Sequence, residues 1–131
     1  MVRGVDAGQP AKTIGQVARL TGISAHTLRY YDSVGLFRVP RTHGGRRAYT
    51  EAEIMAVRFV TYLRATGMPI RTIKKYADLV REGDTTISQR RLLLTAHEED
   101  VRARIATEER HLEAITRKIE TYTRELDSAE P

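Results

Sequence analysis

The amino-acid sequence predicts a mainly α-helical chain, in which a head of four helices with a small β-hairpin is followed by one long helix. Three observations support this fold class. Helix-start signals recur along the chain, an arginine-rich segment carries a Gly44-Gly45 turn, and the last third repeats apolar residues with a heptad period. The 131 residues allow one core of ordinary size and an appendage, which excludes two domains of enzyme size.

The chain is expected to divide into four parts. Residues 1–11 contain two glycines, a proline and few large apolar side chains, so we expect a flexible arm. The helical head covers residues 12–83 and the long helix covers residues 84–127. Residues 128–131 are predicted to be a disordered tail.

Helix-start signals place five helices. Three segments have the capping-box spacing, in which a Thr hydroxyl accepts from a backbone N–H three residues on and a Gln or Glu side chain returns the bond. They begin at Thr13, Thr50 and Thr86. Pro69 suits a first helical position, where a missing N–H costs nothing. The predicted helices cover residues 14–21, 24–34, 51–65, 69–82 and 87–127.

The first two helices have the spacing of a helix-turn-helix. Ala18, Gly22 and Leu28 supply a small residue at the crossing, a glycine for the turn and an apolar anchor. We expect Leu28 and Tyr31 to face the core. The opposite face has side chains at helical spacing that can donate to phosphates or base edges, although an ordinary solvated face would look the same. These side chains are His26, Arg29, Tyr30 and Ser33.

The segment between the second and third helices, residues 37–49, predicts a small hairpin with a basic tip. Arg41, Arg46 and Arg47 cluster beside its turn, and we expect no acidic residue to neutralise them. A tip of this kind suits a phosphate backbone.

Basic charge is concentrated in the head. Residues 1–83 contain 14 Lys and Arg against 6 Asp and Glu, a net charge of +8, whereas residues 84–131 contain 8 against 11, a net charge of −3. A basic front of this kind is the footprint of DNA contact. No carboxylate pair, nucleophile with its base or phosphate-cradling glycine motif stands out, so an enzyme is disfavoured.

The absence of cysteine excludes disulfides, iron–sulfur clusters and thiolate metal sites. The four histidines are scattered, so we expect no metal and no cofactor. No segment approaches the roughly 18 apolar residues of a membrane span, and no signal peptide is visible. We therefore expect a cytoplasmic protein located at the nucleoid.

An ordered series of motifs in the head resembles the MerR family of transcription regulators. It comprises TLRYYDSVGL at residues 27–36, Arg41, GRRAY at 45–49, TEAEI at 50–54 and LRATGM at 63–68. The match extends roughly from residue 13 to residue 82. One departure is Arg46, which occupies a position where the family commonly has an aromatic residue.

The resemblance implies a winged helix-turn-helix head. His26 and Arg29 would enter the major groove of double-stranded promoter DNA, Tyr30 and Tyr31 would support backbone contacts, and arginines would bind phosphates. The implied DNA-binding set is His26, Thr27, Arg29, Tyr30, Tyr31, Arg41, Arg46, Arg47 and Arg64.

The long helix has the clearest periodicity in the chain. Apolar residues alternate steps of four and three, interrupted at Glu108, which is an a/d seam. About 40 residues make a helix of roughly 60 Å, longer than a small head can cover, so a second chain must bury the rest. A heteromeric coiled coil is the alternative to the antiparallel homodimer that the resemblance implies. The predicted dimerisation seam consists of Leu94, Val101, Ile105, Leu112, Ile115, Ile119, Tyr122 and Leu126.

The resemblance further implies a homodimer that distorts a palindromic promoter site and so acts on RNA polymerase indirectly. An accessory or anti-activator factor with the same head is the runner-up, whereas a coiled-coil interaction module would leave the basic head unexplained. We expect no appended ligand domain. A small-molecule effector would then bind between head and coil, near Tyr62, Tyr76 and His97, although core packing is the better interpretation of each. An effector-free regulator is the other option.

Overall fold

The computed structural model describes residues 11–129. A short 3-10 turn at Asp84–Thr86 precedes the last helix. The five predicted helices are confirmed, with each boundary within about two residues of its predicted position. In order they are α1 (Ile14–Thr21), α2 (Ala25–Ser33), α3 (Glu51–Ala65), α4 (Ile70–Glu82) and α5 (Ile87–Ala129).

The predicted flexible arm falls almost entirely outside the described residues, and the predicted tail falls half outside them. The flexible arm was assigned to residues 1–11, of which the structure describes only Ala11. The disordered tail was assigned to residues 128–131, but Ser128 and Ala129 continue α5. The apolar heptad repeat ends at Leu126. The helix continues beyond it because backbone hydrogen bonds do not require apolar side chains.

Side-chain caps begin the first three helices, and the capping boxes predicted at Thr13 and Thr50 are confirmed. Thr13 N donates to Gln16 Oε1 at 2.8 Å, and Gln16 N donates back to Thr13 Oγ1 at 3.1 Å. Ser24 caps α2 by accepting from Thr27 N at 3.0 Å. Gly22, with φ 78°, ends α1 in the left-handed conformation, which sets up the tight turn into α2.

Thr86 is used differently from the capping box that its sequence predicts. Its hydroxyl lies 2.6 Å from Leu79 O and 2.9 Å from Gly83 O, and it accepts from Arg90 Nε at 2.9 Å. Arg90 Nη2 also donates to Gly83 O at 2.7 Å. The 3-10 turn runs directly into α5, so Thr86 is buried inside a junction with the end of α4 and its side chain serves that junction.

The buried residues of the head come from every segment between α1 and α4. Val17 and Leu28 pack where α1 meets α2, and the predicted core position of Leu28 is confirmed. On α4, Ile73 and Ala77 are buried, whereas Val80, one turn further along the same face, is exposed. The remaining core side chains are Leu36, Phe37, Val39, Tyr49, Ile54, Val57, Val60, Leu63 and Met68.

The predicted hairpin is reduced, among the described residues, to a loop closed by one antiparallel bridge. Residues 38–48, called the arginine loop below, pair only at Arg41 and Arg47. Thr42 N donates to Arg46 O and Ala48 N donates to Pro40 O, each at 2.8 Å. Pro40 has no N–H to continue the ladder, and the Gly45 turn ends it on the other side. A second bridge, between Lys12 and Tyr49, attaches the end of this segment to the residues before α1.

The chain forms two compact units, one up to Arg90 and one from Arg91 onward. The sequence predicts that the head ends at Gly83, directly after α4. In the structure the first compact unit extends further, to Arg90, and so includes the first turn of α5. The second unit is helical throughout its described length, and no residue of α5 is buried. Nowhere in residues 11–129 is there a helix with the length and apolar character needed to cross a membrane.

Candidate nucleic-acid interface

The outer face of α2 carries the side chains that the sequence assigns to base contact. His26, Arg29 and Tyr30 are exposed, while Leu28 on the opposite side is fully buried. Tyr31 is intermediate and its ring lies 6.1 Å from that of Tyr30, centroid to centroid. The helix therefore presents two donors and an aromatic ring to solvent while Leu28 anchors it to the core.

Thr27 lies at the start of this helix and contacts its cap. Ser24 Oγ donates to Thr27 Oγ1 at 3.0 Å, and Thr27 N donates to Ser24 Oγ at the same distance. Its hydroxyl is therefore shared with the local cap, which fixes the first turn of α2.

The arginine loop forms one wall of a cleft beside the start of α1. Arg41 Nη1 donates to Gly45 O at 3.0 Å, which folds the Arg41 side chain across the loop. Arg46, by contrast, is exposed. The cleft has a volume of about 430 Å³. It is lined by Thr13, Ile14, Arg41, Gly45, Arg46 and Arg47. Three guanidinium groups around one cleft suit a phosphate group.

An acidic residue neutralises part of this cluster, contrary to the expectation from sequence. Arg47 Nε donates to Asp32 Oδ2 at 2.7 Å, and Arg41 Nη2 lies 3.9 Å from the same oxygen. Arg47 and Asp32 are well shielded, with side chains 16% and 15% exposed, whereas Arg41 is 51% exposed. Asp32 therefore joins the last turn of α2 to both sides of the arginine loop.

A signal for Asp32 was present in the sequence. A carboxylate in the last turn of a helix faces the negative end of the helix dipole, which is unfavourable unless a cation is close. Asp32 occupies such a position in a nine-residue helix whose last turn has no basic residue. The position alone therefore indicates a partner elsewhere in the chain, and the nearest basic cluster is the arginine loop.

Tyr49 is a second residue of this region that sequence reasoning missed. Its side chain is fully buried, and its hydroxyl has no hydrogen-bond partner among the described residues. Burial raises the pKa of the phenol, while the charge of Arg47 acts in the opposite direction. Tyr49 is thus a core residue whose hydroxyl senses the charges of Arg47 and Asp32.

Arg64, the remaining predicted phosphate contact, lies near the end of α3. Its side chain is exposed, and Nη1 donates to Met68 O at 3.3 Å. That bond satisfies a carbonyl group just beyond the helix end. The structure therefore gives Arg64 a local capping contact.

Of the three residues predicted to line an effector pocket, the structure places Tyr76 on a groove of the head. A groove of about 370 Å³ lies between α3 and α4, and Tyr76 lines it with its ring 5.6 Å from that of Phe59. Tyr62 is 61% exposed and lies outside the lining. His97 belongs to the second unit, and its side chain is intermediate in exposure.

The seam of α5 is exposed along most of its length. Leu94 and Val101 are intermediate, and the other six predicted seam residues are 53% to 70% exposed. Ion pairs flank the seam, with Arg102 Nη2 3.2 Å from Glu98 and Arg117 Nη2 2.5 Å from Glu113. Such spacing supports a helix by a few tenths of a kcal/mol for each pair, roughly. The apolar side chains therefore remain available to a second helix.

The head and more than half of α5 match two models of protein families. The first, described as a MerR HTH family regulatory protein, matches residues 12–79, which is more than half of the chain. The chain belongs to the MerR family. A second model, described as MerR, DNA binding, matches residues 54–116. The resemblance found in the sequence is thereby confirmed.

Similar MerR-family proteins extend the match beyond the head. An uncharacterized HTH-type transcriptional regulator of Haemophilus influenzae is 34% identical over 111 residues, which is 84% of this chain and 82% of that protein. The crystal structure of HiNmlR, a MerR family regulator lacking the sensor domain, bound to promoter DNA, has a TM-score of 0.80 at 33% identity and covers 87% of this chain and 91% of that one.

A third MerR-family likeness is a structure from Listeria monocytogenes, described as a putative MerR family transcriptional regulator. Its TM-score is 0.86 at 28% identity, and the match covers 91% of each chain. The helical head and the long C-terminal helix therefore form one architecture shared with regulators of this family.

Proposed function

We propose that this chain is a sequence-specific transcription regulator that binds a palindromic promoter site as a homodimer and controls transcription by distorting the DNA. One observation carries the proposal. The exposed face of α2 and the arginine loop belong to one compact unit, and the ion pair between Asp32 and Arg47 joins them. A base-reading surface and a phosphate-binding surface are thereby held at a fixed spacing.

The two surfaces have different roles in the proposed complex. His26 and Arg29 read base edges in the major groove, with Thr27, Tyr30 and Tyr31 contacting the neighbouring backbone. Arg41, Arg46 and Arg47 take the part of the wing and bind phosphates, and Arg64 adds a further phosphate contact. The relative HiNmlR, whose structure contains promoter DNA, supports DNA binding by this chain.

The exposed seam of α5 supports a homodimer. Helices that repeat apolar residues every 3.5 positions bury them against a partner helix, and an antiparallel pair would carry one head at each end. Two-fold symmetry then requires two inverted half-sites in the DNA. The dimer would act on RNA polymerase indirectly, by bending and untwisting the promoter to realign its elements at the cost of deformation energy.

An effector is not needed for this proposal. HiNmlR is described as lacking the sensor domain and is covered almost in full by this chain. A small molecule would have the apolar groove beside Tyr76 and Phe59 as a candidate site on the head. A contact of Tyr62 or His97 with such a small molecule stays a prediction. We place the regulator in the cytoplasm, on the chromosome.

The first experiment uses the DNA immediately upstream of the gene. We expect DNase I footprinting to protect an inverted repeat within a long promoter spacer, and transcription from that promoter in vitro to change when the protein is added. Binding without any effect on transcription would favour the accessory or anti-activator factor. No binding to this DNA, even at about 50 mM salt, would contradict the proposal.

A pair of variants then separates the two surfaces. His26→Ala is expected to change sequence preference, because it removes a group that reads bases. Arg46→Ala is expected to weaken binding to every duplex about equally and to lower the slope of log affinity against log salt by about 1. If both variants bind all duplexes as the wild type does, the assigned orientation of the head on DNA is wrong.

A further inference from the structure

We propose that Asp32 is a positioning residue for DNA binding, which orients the Arg47 guanidinium toward a backbone phosphate although its own charge repels that phosphate. This inference rests on the proposed function and adds a role to it. The interacting groups are the Asp32 carboxylate in the last turn of α2, and Arg47 and Arg41 on the two sides of the arginine loop.

The N–H groups of the Arg47 guanidinium fall into two sets, one that bonds Asp32 and one that is left for a phosphate. Its Nε donates to Asp32 Oδ2 at 2.7 Å, and the same side chain lines the cleft of about 430 Å³ beside the arginine loop. A guanidinium has five N–H donors in a rigid fork, so a bond through Nε leaves the two terminal nitrogens for a phosphate and fixes the plane in which they lie. A carboxylate on one edge and a phosphate on the other would hold the group between two acceptors.

The exposure of the side chains shows that Asp32 interacts strongly with only one of the three arginines. The Arg47 and Asp32 side chains are 16% and 15% exposed, so solvent screens their attraction far less than it screens an ordinary surface pair. Arg41 is 51% exposed and its Nη2 lies 3.9 Å from Asp32, so it senses the carboxylate weakly and is held by Gly45 O instead. Arg46 has no acidic partner within salt-bridge distance among the described residues. Asp32 therefore organises one of the three arginines, and the cluster keeps a net charge of +2.

Simple electrostatics and this proposal predict opposite changes in DNA affinity when Asp32 loses its charge. Neutralising an acidic residue close to DNA normally strengthens binding, because it removes repulsion from the phosphates. Asp32→Asn would keep the size of the side chain but lose the charge that holds Arg47. We expect it to weaken binding about tenfold or more, on the scale of one charge-assisted hydrogen bond.

Asp78→Asn is the matched control. Asp78 is also an aspartate of the head with two basic partners, Lys74 at 2.6 Å and Arg81, but it lies on α4 and does not line the cleft. The same change of charge there should leave DNA affinity unchanged or raise it slightly. A loss of affinity confined to the Asp32 variant therefore cannot come from net charge.

The experiment measures the affinity of the full chain for two duplexes of equal length, one from the DNA upstream of the gene and one unrelated. It compares wild type, Asp32→Asn, Arg47→Ala, the double variant and the control, each checked for an unchanged melting temperature. We expect Asp32→Asn to weaken both complexes in the wild-type background. In the Arg47→Ala background it should cause no further loss and should strengthen binding slightly, because there it only removes repulsion from the phosphate. In phosphate-ethylation interference, both single variants should become insensitive to ethylation of the same phosphate. Arg47→Lys, which keeps the charge but not the fork, should bind as weakly as Arg47→Ala.

The outcomes separate this inference from the proposed function. Wild type that binds neither duplex overturns both. Wild type that binds, with Asp32→Asn binding equally or more tightly, overturns the positioning role alone. If Asp32→Asn does not fold, Arg47→Lys decides the question, because binding equal to that of wild type would show that the orientation of the guanidinium does not matter.

Discussion

Gly35 and Lys74 lie so close that a side chain on the first would collide with the second. A Cβ built on Gly35 would lie 2.8 Å from Lys74 Cε, and Gly35 has φ 85°, in the left-handed region. The helix that carries Lys74, α4, also holds this loop through a hydrogen bond, since Arg81 Nη2 donates to Gly35 O at 3.2 Å. The loop that follows α2 is thus fixed to α4, which anchors the end of the proposed recognition helix.

Gly35→Ala is expected to lower the free energy of unfolding by about 1–3 kcal/mol, because a residue with a Cβ is strained at this positive φ. The flexible end of the Lys74 side chain can move aside and adds little to this cost. Urea denaturation followed by circular dichroism measures the change. Gly44→Ala is the control, since a Cβ there would meet only Thr42 Oγ1 at 3.9 Å and no positive φ opposes it. Equal stabilities for the two variants would contradict the backbone strain expected at Gly35.

Tyr49→Phe is expected to raise the free energy of unfolding at neutral pH by about 1 kcal/mol. The wild-type hydroxyl is buried without a partner among residues 11–129, so its removal relieves a desolvation cost. Tyr30→Phe removes the same hydroxyl from an exposed ring and should have little effect. A substantial loss of stability in Tyr49→Phe would show that the hydroxyl has a bonding role after all.

Alkaline pH gives an independent test of Tyr49. Burial raises the pKa of the folded phenol above 10, so the folded state keeps its proton when the unfolded state has begun to lose it. The contribution to stability is therefore complete below about pH 10 and is lost as the pH rises through the folded pKa. Chemical denaturation from pH 8 to 11 should show this loss in wild type and in Tyr30→Phe. The loss should be smaller in Tyr49→Phe, and identical pH profiles would contradict the raised pKa.

Thr86→Val is expected to destabilise the head by about 1–3 kcal/mol. The variant keeps the shape of the side chain but removes a buried hydroxyl that bonds Leu79 O, Gly83 O and Arg90 Nε. Thr85→Val, at an exposed neighbouring position, introduces the same β-branched side chain without that loss. Thermal unfolding of the two variants measures the difference, and matching melting temperatures would mean that the junction contributes nothing.

Ile115→Asp is expected to shift the proposed homodimer toward monomer. It places a charge in the middle of the apolar seam, where a partner helix would have to bury it. Ala114→Asp puts the same charge one residue away, outside the seam, and should leave the association unchanged. Sedimentation velocity at several protein concentrations measures the mass. A wild-type chain that stays monomeric at tens of micromolar would contradict the dimer itself.

Predictions from the sequence were most accurate for features that depend only on residues close together in the chain. Capping residues and glycines place the helix boundaries within about two residues, because each signal depends only on neighbouring backbone groups. The burial of Leu28 and the exposure of His26 and Arg29 follow from helical period alone.

Errors arose where two segments distant in sequence meet. Asp32 and Arg47 are 15 residues apart, and their contact depends on how the arginine loop folds back on α2. Thr86 follows a capping pattern in sequence, but its hydroxyl is used by α4 and Arg90 because the turn before α5 is packed. Val80 fits an apolar stripe of α4, yet it is 43% exposed at the groove between α3 and α4. Helical periodicity predicts the side of the helix on which a residue lies, but it does not predict which residues of other segments pack there.

The exposed seam of α5 also bears on how a cell would use this protein. Only a paired chain would present two heads to inverted half-sites, so the active species forms by mass action between protomers. Far below the dissociation constant of the pair, a twofold rise in synthesis would increase the paired species about fourfold. Occupancy of the promoter would then respond to protein copy number more steeply than in proportion, which makes expression level an input to the regulator even when no ligand is present.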